Sequence, residues 1–330
     1  MIWLTWRQLR TQALVVYGGV LVLAAVLAAT GPRLVHLRQT RGNAFIDDLG
    51  GADGALYVLA SLAVLALPVL VGMFWGAPLV TRELDAGTHR LVWTQVGRGR
   101  WLAVKLGVVG LTAMAAAGLL SLAVSWWAAP IDAAVAVRNG RPGPGIFVFA
   151  RLTREMFDSR GIVPVGYAAF MFVLGVTAGV VIRRTLASMA VVLVLFAVIQ
   201  IGVSMLVRPH LIAPERVTTR ITAANLTFIG IGGRLTVTID EPGAWITSQR
   251  TVDAAGRTTR VPESVLNCPL SGPKTEECFG RIAALGYRQE VSYQPASRFW
   301  ALQAYETALY LVLTLLLSLA CGRWVRHRLS

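Results

Sequence analysis

Residues able to do chemistry are few in this chain and widely spaced. Its four histidines, His36, His89, His210 and His327, never fall into the HExxH spacing that places two metal ligands on one helix face. No serine lies in a GxSxG elbow, and no GxxxxGK[ST] loop is present to cradle phosphates. The glycine-rich stretch at 230–234, GIGGR, lacks the third glycine and the strand–helix setting of a dinucleotide loop. Asp47, Asp48 and Asp53 share one short segment, but their spacing matches no cation-binding loop, so they read as a solvated turn. No catalytic residue, no metal site and no cofactor of the chain's own is expected.

The remaining candidates are polar residues within apolar surroundings. Glu306, one turn after Gln303 in RFWALQAYETALY, either reaches water at a helix end or forms a gate or a buried pair with an external arginine. Gln200 and Ser204 lie four apart and suit interhelical hydrogen bonding. Cys268 and Cys278 share the longest polar segment, where a disulfide is favoured over two unpaired thiols, and Cys321 reads as helix packing.

These residues are set in a chain made mainly for lipid. Of 330 residues, 55% are hydrophobic and 15% charged, and the mean hydropathy is +0.61. Soluble domains carry about 25% charged residues. A bilayer core of about 30 Å needs roughly 20 apolar residues per helix. The segments 13–30, 55–80, 102–128, 163–182, 186–207 and 300–321 meet that need. The first reads as a retained span, because its apolar run exceeds a signal core and no small-x-small cleavage site follows.

The net charge of +14 is an orientation signal more than a nucleic-acid footprint. With the N-terminus inside, the inner segments hold Arg7, Arg10, Arg82, Arg90, Arg98, Arg100, Lys105, Arg183, Arg184, Arg323, Arg326 and Arg328, opposed only by Glu83 and Asp85. That density sets topology and suits anionic headgroups, so membrane lipids are expected partners and nucleic acid is not.

The fold class is therefore an all-α polytopic membrane protein. It has six transmembrane helices, cytoplasmic N and C termini, and a small α+β extracellular insert between helices five and six. Three regions follow: 1–207 with spans one to five, 208–299 as the extracellular domain, and 300–330 with span six and a basic tail. Within the first, Ile2, Trp3, Trp6 and Leu9 fall at helical spacing opposite Arg7 and Arg10, the pattern of an amphipathic surface helix. Pro68 is placed to kink span two. Residues 146–161 offer a short surface helix, and RRT between spans four and five demands an antiparallel hairpin. In the insert, RLTVTID alternates like a strand, EPGAW reads as a turn and ECFGRIAALGY as a short helix.

One insert resists explanation as a plain connector. Residues 81–101, TRELDAGTHRLVWTQVGRGRW, interrupt the apolar runs with seven ionisable side chains, counting His89, and three glycines. Together with WRQLR before span one and SYQPASRFWALQAYE before span six, it makes the chain resemble permeases of the ABC-2 type, in the form common among actinobacteria. The resemblance covers essentially the whole chain.

It implies a transport subunit, not an enzyme, in a bacterial cell membrane. A dimer of this chain, or a pair with a similar permease, would form the pathway and bind two cytoplasmic ATPase subunits that hold ATP and Mg. The loop between spans two and three would dock on the ATPase, placing Arg82, Glu83, Asp85, Gly87, Thr88, His89 and Arg90 at the contact. Those residue types suit the task. Glu83 and Asp85 offer acceptors to basic partners, Gly87 permits a reversal, and Thr88 can cap a following helix. Met73, Phe74, Phe196, Gln200 and Met205, on spans two and five, are the pathway candidates. An apolar pathway fits export of a hydrophobic drug, peptide or lipid. The alternative is a membrane sensor or accessory protein whose external domain binds a ligand such as an antimicrobial peptide.

Overall fold

In the computed structural model, which describes residues 2–85, 97–138, 149–222, 224–230, 233–253, 255–259 and 273–328, six helices are long and apolar enough to cross a membrane. They run Thr5–Asp48, Gly51–Arg82, Gly99–Val137, Val163–Ile182, Thr185–Leu211 and Ala296–His327. Each coincides with one expected span, and all but the fourth extend past the expected ends. Hydropathy registers only the lipid-facing length, whereas helical hydrogen bonding continues into the polar flanks.

Span one is the helix α1 (Ile2–Arg41), whose 40 residues reach about 60 Å at 1.5 Å per residue. Its first turns are helical, as the spacing predicts. They continue into the span without a break because nothing between Gln12 and Ala13 stops a helix. Span two comprises α2 (Gly51–Val71), a π turn at Gly72–Gly76 and α3 (Ala77–Asp85). Pro68 lies one turn before that π turn, so the backbone irregularity is absorbed inside a continuous helix. Span three is α4 (Arg98–Val137). A single turn, α5 (Arg154–Phe157), is what forms of the expected surface helix before span four, α6 (Val163–Ile182). Span five is α7 (Thr185–Gly202), a π turn at Val203–Val207 and α8 (Arg208–Leu211).

The post of the bundle is α6, buried along most of its length. Its approach to span two is set by glycines. Gly72 and Gly76 face Gly175 and Gly179, a GxxxG pattern on both helices. A Cβ at Gly175 would lie 2.1 Å from the Gly72 carbonyl oxygen, and one at Gly76 would lie 2.5 Å from that of Phe172. Without a hydrophobic force between helices in lipid, this backbone contact supplies the dispersion that holds the pair. Spans one and three are joined by Trp127, whose indole N–H donates to Thr30 Oγ1 at 2.9 Å, and by Tyr17, whose hydroxyl donates to the Thr112 carbonyl at 2.9 Å.

Between spans five and six, two small sheets form. The strands β1 (Glu215–Arg220), β5 (Arg288–Gln294) and β4 (Trp245–Val252) make an antiparallel sheet in that order, and β2 (Leu226–Gly230) pairs with β3 (Arg234–Val237). The helix α9 (Pro273–Ala284) packs Ile282 into a core with Val291, Tyr293, Leu235 and Val237. The strand, turn and helix expected for this region all appear, with Gly243 in the turn at φ +69. From β5, a short turn at Ala296–Arg298 leads directly into span six, α10 (Phe299–Arg328).

Candidate functional site

Two regions concentrate polar groups where an apolar bundle should exclude them. One lies at the end of the bundle that carries the sheets. There, α8 places Arg208 against Glu306 of α10, with Nε and Nη2 donating to the two carboxylate oxygens at 2.8 and 2.9 Å. Nη2 also donates to Asp158, in the connection before α6, and the guanidinium lies 4.2 Å over the ring of Phe157. All three charged side chains are buried, with at most 5% exposed. Glu306 is thus not an interfacial carboxylate reaching water; the buried-pair reading is the one the geometry shows.

The surroundings complete this cluster. Gln200 Nε2 donates to the second oxygen of Asp158. Burial raises the Asp158 carboxyl above its ordinary value, Glu306 adds to the rise, and Arg208 opposes it. Gln303 accepts from the backbone N–H groups of Ile162 and Val163 at 2.8 and 2.9 Å, so it caps α6 from another helix. Its amide donates to the Phe157 carbonyl at 3.1 Å. Tyr167 Oη, Ser204 Oγ, Thr307 Oγ1 and Arg208 Nη1 are buried without a hydrogen-bond partner on the same three helices.

The same connection serves a second pair. Arg160 donates from Nε to Asp132 of span three at 3.1 Å and from Nη1 to Ser61 of span two at 3.1 Å. Tyr57 donates to Asp132 at 3.2 Å. Alternate residues of one turn, Asp158 and Arg160, therefore bind opposite sides of the bundle. The acidic turn near span two is structural as well. Asp53 pairs with Arg33 at 3.2 Å, Asp47 with Arg138 at 2.7 Å and Asp48 with Arg41 at 3.6 Å. Among the described residues, no group of three His, Cys, Asp or Glu side chains could hold a metal ion.

The other polar region is the stem of the 81–101 loop. Helix α3 carries span two to Asp85 and leaves Arg82 exposed. Its Thr81 hydroxyl meets that of Thr185, the first residue of α7, at 2.8 Å. Between α6 and α7 the chain reverses through Arg183, the only described non-glycine residue with positive φ, at 56°. Glu83 and Asp85 lie on the helical stem, while Gly87, Thr88, His89 and Arg90 lie outside the described residues.

The pathway candidates are dispersed over the two helices. Met73 and Phe196 pack with the cluster around α6, where Phe196 stacks on Tyr167 at 5.8 Å. Gln200 is committed to Asp158, whereas Phe74 and Met205 are about half exposed on the bundle surface. Cys278 is buried and disulfide-bonded; Cys268 lies outside the described residues.

Sequence reasoning found Glu306 and Gln303 but missed Arg208, Asp158, Asp132 and Arg160. Arg208 fell at the start of the segment assigned to the extracellular domain, and Asp158 within the expected surface helix at 146–161. Arg208 follows the last residue of the apolar run, Val207, directly and precedes a proline, so neither it nor Asp158 is marked in the sequence as turned inward. Sequence reasoning also missed GMFWG and GVTAG, the two glycine pairs that join span two to span four.

A six-span bundle, 75% helical over the described residues, with ion pairs as internal fasteners and a charged stem leaving one end, defines a multi-pass membrane protein. The family model described as ABC-2 membrane transporter related matches residues 17–208. That is more than half of the chain, and the chain belongs to this family. Neither a curated protein nor a solved structure matches it. The chain is accordingly a membrane transporter permease, a kind of subunit that generally transports without being an enzyme and that associates with ABC-type ATPases.

Proposed function

We propose that this chain is the permease subunit of an ATP-binding-cassette exporter, working as a dimer with a second copy or a similar permease. Two separate cytoplasmic ATPase subunits bind ATP and Mg and dock on the 82–90 segment. The observation that carries the reading is the continuity of span two. One helical stem leads from the docking segment through Asp85 and the π turn to Gly72, and it is locked to α6 by backbone contact. A push on the loop therefore reaches the core of the bundle without passing through a flexible joint. The density of basic residues in the inner segments supports a cytoplasmic position for both termini and this loop in a bacterial cell, with the sheets outside. The half-exposed Phe74 and Met205 suit a face shared with the second permease, and an apolar pathway suits a hydrophobic drug, peptide or lipid.

The test is co-expression with the ATPase that accompanies this permease, comparing the native chain with one whose residues 82–90 are replaced by a glycine–serine segment. Loss of copurification and of ATP-driven transport is expected, with Glu83→Ala giving a partial loss. Undiminished binding and coupling in the replaced chain would refute the docking role.

One observation favours a second reading. A cavity of about 780 Å³ separates the end of span three from the sheets, lined by Arg138, Asn225, Asp240, Glu241 and Tyr293 among others. A sensor would use such a cavity for an external peptide. That reading predicts saturable peptide binding by the full chain without any ATPase, blocked by enlarging Asn225 to Trp.

A further inference from the structure

A different crevice, of about 450 Å³, runs along span three beside the start of span six. Its size falls within the roughly 300–1,000 Å³ of small-molecule sites. The wall is one face of α4, including Leu122, Trp126, Ala133 and Ala136, with Phe299 and Trp300 of α10 opposite. The turn at Gly243 closes it on the domain side, where the Gly243 N–H donates to the Ala136 carbonyl at 2.9 Å. Trp126 and Trp300 are 55% and 58% exposed, as befits indoles at headgroup depth.

Its polar lining is cationic. Arg151 lies over the Phe299 ring at 4.5 Å, and Arg160 and Asp132 also line the crevice. Asp132 is already spent on Arg160 and Tyr57. Arg160 is 2% exposed, and its Nη2 has no hydrogen-bond partner. A buried guanidinium N–H without an acceptor costs free energy and calls for one. An aliphatic wall, indoles at the mouth and two guanidinium groups, one incompletely satisfied, match the chemistry of an acyl chain joined to an anionic phosphate.

We infer that this crevice is a binding site for an anionic phospholipid of the leaflet on the sheet-bearing side, with the phosphate held by Arg151 and Arg160 and one acyl chain running from Ala129 past Trp126 and Leu122 of span three toward the bilayer centre. The inference rests on the membrane spans and not on coupling to ATP, so its failure would leave the permease reading standing.

The test is native mass spectrometry of the full chain released from detergent after titration with dioleoyl phosphatidylglycerol or dioleoyl phosphatidylcholine. One phosphatidylglycerol per chain should survive activation that strips phosphatidylcholine. Arg151→Gln, at the rim, should weaken its retention at least about tenfold, the size of one hydrogen bond to a charged group. Ala133→Phe, which fills the crevice, should abolish it. Each variant is checked by its elution as a single folded species, and Arg151→Gln alone decides if Ala133→Phe does not fold. Equal retention of the two lipids, or phosphatidylglycerol retention unchanged in Arg151→Gln, overturns the assignment.

Discussion

Replacing Arg208 by Met is the most informative perturbation of the buried cluster. The native group gives Glu306 two hydrogen bonds, at 2.8 and 2.9 Å, and gives Asp158 a third. With all three groups ionised, the cluster carries a net charge of −1. Methionine keeps the apolar stem and the packing on Phe157, but it leaves two carboxylates facing one another in a site with at most 5% exposure. Breaking a buried pair from one side costs about 3–5 kcal/mol, because a charge is stranded. Removing an anion is gentler. Glu306→Gln leaves Arg208 and Asp158 as a balanced pair and retains one acceptor, so it should cost about 1–3 kcal/mol. The double variant should be more stable than Arg208→Met alone, since the stranded charge is reduced. Denaturant titration of the purified chain in mixed micelles, arranged as a double-mutant cycle, reads these differences. If Arg208→Met proves neutral, or if the two substitutions simply add, the ion pairs are not the fasteners described.

Other outcomes follow from the helix contacts. Gly175→Ala, which sets a Cβ 2.1 Å from the Gly72 oxygen, should destabilise the chain by about 1–3 kcal/mol. Gly107→Ala, where nothing lies within 4 Å, should be neutral or stabilising by up to about 1 kcal/mol; both are read as shifts in thermal unfolding. Thr81→Val removes the 2.8 Å hydroxyl contact with Thr185 and should speed amide exchange in the first turn of α7, consistent with a loss of about 1 kcal/mol. Reducing the disulfide at Cys278 should destabilise the sheet-bearing region by about 2–4 kcal/mol, seen as reductant-dependent proteolysis of that region.

The spans were legible because lipid imposes a simple rule on composition, and each of the six apolar runs became a helix. The strand at Arg234–Val237 was legible from its alternation, and the helix at Pro273–Ala284 from its polar–apolar spacing. The buried ion pairs were only half legible. A lone Glu306 is visible against apolar neighbours, but Arg208 and Asp158 are polar residues beside polar segments. Only the tertiary fold shows that their turns are drawn inward. The close approach of spans two and four was written in two glycine pairs, yet glycines are common in such helices, and facing cannot be read from one helix alone. The helix that carries span two on to Asp85 runs past the end of the apolar run at Val80, and the proposed docking role of the 82–90 segment rests on the resemblance and the lever geometry.

The strand β1 leaves span five almost at once, and β5 enters span six just as directly. The two strands pair antiparallel from Glu215–Tyr293 to Arg220–Arg288. Arg298, at the foot of span six, also ties Glu215 at 2.7 Å. Spans five and six are thus sewn together twice, by a hydrogen-bonded seam outside the bilayer and by the Arg208–Glu306 clasp within it. Opening a passage between them would unpick both at once. At the sheet-bearing end the two helices and their sheet therefore form one unit, and a parting of the bundle at that end must run along a boundary elsewhere.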